Sequence, residues 1–254
     1  MGTAEVIGTC FATPRMTAAM LDANYPCYCH AVPDHYFTIT LNQSGGLSLD
    51  WFHRNVCGHH GLADAAYDRL WTEALDGLRL EPSPVMFLPH LVGAGTPACD
   101  HLSRAAFIGM SLKASQEDLF QAVAEALCFE ARLNLETLET LGIRISELRA
   151  VGGGARSRKM IELKATILNK PISTLKIADA ALLGASMLAH VAMGAYASLE
   201  AAVDECVSLE STVEPRIRAV PAYEDAFERY RQIYGVLKGF YHHWSAPCTT
   251  ATAV

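Results

Sequence analysis

The sequence predicts an α/β domain built on a mixed sheet, and three observations carry that prediction. Short β-rich segments crowd the first quarter, helix and strand alternate beyond about residue 116, and near residue 150 an apolar strand runs into three glycines and then a helix. Strands first and alternation later is the order expected of a sheet with antiparallel and parallel neighbours together. The 254 residues are 51% apolar and 19% charged, with a mean hydropathy of +0.16. That is the composition of a globular chain able to bury a sizeable core.

Residues 4–12 place β-branched and aromatic side chains around Gly8-Thr9, which reads as a strand, a bend and a second short strand. In residues 36–41, Phe37, Ile39 and Leu41 alternate with Thr38 and Thr40, the period of a strand with one apolar face. Residues 42–46 then turn and open a helix bearing Leu47, Leu49, Trp51 and Phe52. A loop at 58–61 precedes a helix over 65–77 with Tyr67, Leu70, Trp71 and Leu75 on its apolar side, and Pro82 and Pro84 mark an exposed connection. An extended apolar segment follows at 85–91, with a glycine-rich turn at 93–97.

Leu119, Val123, Leu127, Ala131, Leu135 and Leu138 recur at spacings of three and four, so residues 116–141 form one long amphipathic helix with Ser115 as its cap. A strand at 148–151, the glycines, a helix at 157–168 and a strand at 172–177 come next, the helix stopped by Asn169-Lys170-Pro171. Asp179 heads a helix of small residues suited to close packing, and 198–207 form a short helix. The last helix, 222–243, carries Tyr223, Phe227, Tyr230, Tyr234, Leu237 and Tyr241 as an aromatic stripe that reads as core.

Composition excludes several roles. No apolar run is long enough to span a bilayer, and the first residues lack the basic and hydrophobic regions of a secretion signal, so a cytoplasmic protein without a membrane partner is expected. The net charge of −7 argues against nucleic-acid binding. Eight cysteines lie scattered without a C-x-x-C pair, and the ten histidines form no H-E-x-x-H, so no structural metal is expected.

Consecutive glycines suit positions where φ must be positive or where a ligand touches the backbone, and a following helix aims its free N–H groups at the same point. Gly8-Thr9, Gly45-Gly46 and Gly152-Gly153-Gly154 together describe a backbone that approaches a polyphosphate from several sides. A tight turn without a ligand is the plain alternative. Gly152 to Ser157 also offers Gly-x-Gly-x-x-Ser, a dinucleotide (Rossmann-type) pattern that departs from the fingerprint at its third position and lies well past mid-chain.

Several motifs, in collinear order, resemble the C-terminal half of the FGGY carbohydrate kinases, the group containing xylulose, gluconate and glycerol kinases. They are Ile7-Gly8-Thr9, Ser44-Gly45-Gly46 with Leu49-Asp50-Trp51, Phe87-Leu88-Pro89-His90-Leu91 with residues 93–97, Ala106 to Ser111, Ala122 with Glu125, Gly152 to Ala155, and Leu183-Gly184-Ala185. The resemblance implies a ribonuclease H-like (actin-like ATPase) domain over residues 1–245, with a helical insertion at about 58–80 and a disordered tail at 246–254. It further implies ATP with Mg2+ as cofactor and a sugar as the substrate of the complete protein. Gly8 and Thr9 match the second phosphate motif, Gly46 and Asp50 match the nucleotide pocket, and Gly153 and Gly154 match the adenosine motif, with Arg158 at an adenine-contacting position. Asp179 stands where many members carry Glu. The stretch from Phe87 to Pro97 leans toward the xylulose-kinase branch.

The family's first phosphate motif and its catalytic Asp are not found in this sequence, where only Glu5 precedes Gly8 as an acid. The chain by itself is therefore expected to bind nucleotide at most weakly and to be inactive, since phosphoryl transfer needs nucleophile, metal and clamp together. A non-catalytic nucleotide-binding or association module is the alternative. Apolar residues such as Met16, Met20, Leu21 and Tyr25 could then serve a homodimer or, as readily, ordinary core.

Overall fold

The computed structural model describes residues 4–244, so the tail expected at 246–254 lies outside the described residues. β1 (Gly8–Phe11), α1 (Ala18–Asp22), β2 (Tyr28–Cys29) and β3 (Tyr36–Ile39) open the chain, the strands forming an antiparallel sheet in the order β1-β3-β2. Gly8-Thr9 is straight strand here, not a bend: Gly8 pairs with Ile39 and Thr9 with Thr38. The ladder runs on through Thr40 N–H to Ile7 O at 2.9 Å and Glu5 N–H to Asn42 O at 2.9 Å, which holds the segment extended. The alternation in β3 also buries the opposite face from the one expected. Thr38 and Thr40 are buried while Phe37 and Ile39 are half-buried. Thr40 tolerates this because its hydroxyl accepts the Ile7 N–H at 3.1 Å.

α2 (Gly45–Trp51) runs into a π turn, Phe52–Val56, and α3 (Asp64–Asp76) lies in the stretch expected to be a helical insertion. β4 (Met86–Leu88) and β5 (Ala106–Ile108) make a small hairpin. α4 (Gln116–Thr140) is the central element. Ser115 caps it as the sequence predicts: its hydroxyl accepts the Asp118 N–H at 3.2 Å while Asp118 accepts the Ser115 N–H at 3.1 Å, a reciprocal pair. Residues 120–131 of α4 are buried throughout, because α2, β4, α5 and α8 cover it from different sides.

The second half supplies β6 (Leu148–Ala150), α5 (Arg158–Leu168), β7 (Ile172–Leu175), α6 (Ala180–Ala192), α7 (Leu199–Cys206), β8 (Leu209–Val213) and α8 (Val220–Trp244). β6 and β7 are parallel and β7 and β8 antiparallel, so the mixed pairing sits in this three-stranded unit. One core joins Leu49, Phe52, Phe87, Leu127, Leu163 and Phe227, and a second joins Met20, Tyr25, Leu135, Ile161, Ile172 and Val213. The aromatic stripe of α8 is core as expected, with Tyr223, Phe227, Tyr230 and Tyr241 buried.

The small-residue helix α6 departs from expectation. None of its residues is buried, and Leu182 is 69% exposed, because the short α7 is its main helical neighbour and covers one side alone. Met16 and Leu21 are likewise exposed, whereas Met20 and Tyr25 belong to the second core. No described helix is long and apolar enough to cross a membrane.

Candidate functional site

The chain leaves β6 at Val151, and Gly152 reverses it with φ at +75°, a value that a side chain would strain. The Gly152 N–H donates to Ala178 O at 2.8 Å, and its carbonyl accepts from Ala155 N–H at 3.1 Å. A tight turn over Gly153–Arg156 follows, and the Ser157 hydroxyl caps α5 by accepting the Met160 N–H at 3.2 Å. Between strand and helix the peptides are bare: a Cβ built on Gly152 or Gly154 meets nothing within 4 Å.

These peptides wall a cavity of about 320 Å³. Residues 4–7, Gly46, residues 148–151, and Leu127 and Ala131 of α4 also line it. The extension that precedes β1 and the strand β6 thus both line this cavity, while β1 and β6 belong to separate sheets. Three charged side chains reach the wall: Glu5, Lys164 and Arg149. Lys164 donates to Glu5 in a close ion pair, and burial pushes its ammonium down to about 8. Arg149 lies 3.6 Å from Glu147.

Of the residues singled out from sequence, this cavity brings together Gly46, Gly153 and Gly154. Gly8 and Thr9 stand further along β1, outside its wall. Asp50 is engaged elsewhere: it accepts from Arg54 Nε at 3.0 and 3.1 Å and from the Tyr67 hydroxyl, with the Arg54 guanidinium 4.1 Å from the centre of the Tyr67 ring. Burial, and then Asp50, push the Tyr67 phenol up. Arg158 is exposed at the first turn of α5, off the wall, and Asp179 sits at the N-cap of α6, where its carbonyl accepts the Leu183 N–H at 3.1 Å and its side chain makes no capping bond.

Lys164 and Glu5 were the residues that sequence reasoning missed. A signal existed for the first: Lys164 stands four residues after Met160 and four before Leu168, on the buried stripe of α5, where an unpaired cation would be costly.

Structural neighbours show which class of protein this arrangement belongs to. A xylulose kinase from Brucella ovis superposes with a TM-score of 0.81 at 30% identity, covering 94% of this chain and 47% of that one. A gluconate kinase from Lactobacillus acidophilus gives 0.80 at 24%, covering 96% and 48%. The fold is accordingly that of a ribonuclease H-like, actin-like ATPase domain.

The chain belongs to the FGGY family of carbohydrate kinases, with residues 1–193 matching the family's C-terminal domain. Among relatives, the xylulose kinase of Staphylococcus epidermidis is 26% identical over 213 residues, which is 84% of this chain and 42% of that protein. A glycerol kinase of Bordetella parapertussis is 30% identical over 178 residues, 69% and 34% respectively. The chain spans less than half the length of these relatives.

Proposed function

We propose that this chain is the nucleotide-binding lobe of an ATP-dependent kinase that phosphorylates a sugar hydroxyl, the sugar being a ketopentose or a close relative. The observation that carries this is the cavity bordered by Gly46, Gly153 and Gly154, where glycine peptides form part of an otherwise largely apolar wall in a chain of the carbohydrate-kinase family. Its volume of about 320 Å³ falls at the lower end of ligand sites, and exposed peptide groups accept the edge of a base or a phosphate without side chains intervening. Gly8, Thr9, Asp50 and Arg158 belong to the same proposal through the family motif, as contacts to the remainder of the nucleotide. The ketopentose assignment rests on the xylulose kinases among the relatives.

The lobe alone binds nucleotide without turning it over. Among the described residues, Glu5 is the one carboxylate on the cavity wall, and Lys164 neutralises it, so no free base faces the cavity to take a proton from a sugar hydroxyl. The same pairing leaves the wall without an oxygen cage for a resident Mg2+, and the ion is expected to arrive on the nucleotide's phosphates, which with water satisfy most of its octahedron. The cellular setting that suits such a lobe is the cytoplasm.

The test is a thermal-shift titration of the 254-residue chain with ATP–Mg2+, with NAD+ as control, since a ligand of the folded state raises its stability by mass action. Gly154→Val fills space in which the protein itself has no atom within 4 Å, so it is expected to abolish the ATP shift while the unliganded transition stays put. A shift with NAD+ in place of ATP would favour the dinucleotide reading. A second reading, a lobe used for self-association, is favoured by the exposed Met16 and Leu21, at 80% and 77%, and sedimentation showing a homodimer would support it.

A further inference from the structure

The cavity beside the glycine turn is lined largely by apolar groups, and one ion pair stands on its wall. Leu127, Ala131, Met160, Ile161 and Leu168 contribute aliphatic surface, and Gly152 and Gly154 contribute bare peptide. The ion pair is that of Glu5 and Lys164, whose side chains are 24% and 18% exposed. Both partners are fixed by their own elements. Glu5 exchanges two backbone hydrogen bonds with Asn42, at 2.9 and 2.8 Å, and a Cβ on Gly45 would stand 2.5 Å from the Glu5 nitrogen. Lys164 rises from the buried stripe of α5, between Ile161 and Leu168. The pair engages Oε1 of the carboxylate and one of the three N–H bonds of the ammonium. Among the described residues no other group bonds Glu5 Oε2 or the two remaining N–H bonds. A fixed acceptor therefore stands beside a fixed donor, and together they carry no net charge.

That combination selects the part of a ligand that can enter. A polyphosphate gains little from a neutral pair whose carboxylate repels it, and Arg149, the third charged group of the wall, stands 3.6 Å from Glu147. A flat, uncharged ring fits aliphatic side chains and bare peptide, provided that its polar edge finds partners. The edge of a 6-aminopurine places a donor, the exocyclic N–H, next to an acceptor, the ring nitrogen N1. Resting on the reading of this cavity as the nucleotide site, we propose that Glu5 and Lys164 are the residues that read the base. Glu5 Oε2 accepts from the 6-amino group and Lys164 donates to N1, and the phosphates stay outside the cavity. Because both side chains are held before the ligand arrives, little ordering is left for binding to impose.

The test compares ATP with two analogues, purine riboside 5′-triphosphate, which lacks the 6-amino group, and 1-deaza-ATP, which lacks N1. Each is titrated with Mg2+ against the 254-residue chain by thermal shift at pH 7, below the value of about 8 at which Lys164 gives up its proton. Each analogue should bind roughly tenfold or more weakly than ATP, since each leaves one charged group short of a partner. Glu5→Met combined with Lys164→Met removes both charges at once and keeps the side-chain volumes close. On that double variant the three nucleotides should bind alike, and far-ultraviolet circular dichroism checks that it is folded. Equal affinity for ATP and the analogues on the parent chain, or an analogue penalty that persists in the double variant, overturns the base-reading role. It leaves the nucleotide lobe standing, because that reading is tested by the ATP shift itself and by its loss in Gly154→Val. Absence of any ATP shift on the parent chain overturns both.

Discussion

Glu125 lies in the middle of α4, buried, with its carboxylate accepting the Ser83 N–H at 3.1 Å, the Gln121 amide at 2.8 Å and the Tyr223 hydroxyl at 3.2 Å. Burial outweighs these three donors and raises its pKa from 4.5 to about 7. The folded chain therefore keeps a proton that the unfolded chain releases near 4.5, and stability falls as pH climbs from there to about 7, then levels off. At 1.36 kcal/mol per pH unit the full loss is about 3 kcal/mol. Glu125→Gln keeps the shape and cannot titrate. Urea unfolding followed by circular dichroism at pH 5 and pH 8 should show the variant gaining on the parent chain by about 2.5 kcal/mol between the two. Histidines that titrate in the same window cancel in the difference. Parallel stability curves for the two proteins would refute the argument.

Two further outcomes follow from packing and charge. A Cβ on Gly95 would stand 1.7 Å from the Leu41 carbonyl oxygen, at a point where Leu41 and Thr96 are joined backbone to backbone and through the Thr96 hydroxyl, so Gly95→Ala should cost more than about 2 kcal/mol. Gly154→Ala, which meets no neighbour, should stay within about 1 kcal/mol, and thermal unfolding compares the pair. For Asp100, burial alone would raise the pKa, but His242 at 2.7 Å, the Leu102 N–H at 3.0 Å and Tyr234 at 2.9 Å lower it to about 2. Its contribution is present above the unfolded value near 3.8 and is lost as pH falls through about 2. Asp100→Asn should cost about 1 kcal/mol at pH 6 and speed amide hydrogen exchange in the last two turns of α8. Unchanged protection there would sink the idea that this contact anchors the helix end.

Elements governed by local rules were legible without coordinates. α4 follows from a three-and-four spacing and a Ser-x-x-Asp cap, and the β6–glycine–α5 unit follows from an apolar run, a residue type that accepts positive φ at Gly152 and a serine cap. The short strands β2, β5 and β8 were not legible, since two to five residues carry too little period and owe their state to a neighbour. The glycine clusters were equally local: Gly46, Gly153 and Gly154, singled out by their motifs and by the resemblance, border one cavity.

What only the tertiary structure decided concerns partners far apart in the chain. The sequence by itself determined that residues 36–41 alternate, and the packing buried the threonine face, where the Thr40 hydroxyl accepts the Ile7 N–H while the Thr38 hydroxyl finds no partner among the described residues. It determined that residues 180–189, headed by Asp179, form a helix of small residues, and the shortage of covering elements left that helix exposed. The pairing of Lys164 with Glu5, of Asp50 with Tyr67 and of His53 with His59 likewise depends on which segments the fold brings within a few ångströms. Periodicity and capping act within a turn or two of chain, whereas charge compensation and donor convergence are set by distance in space.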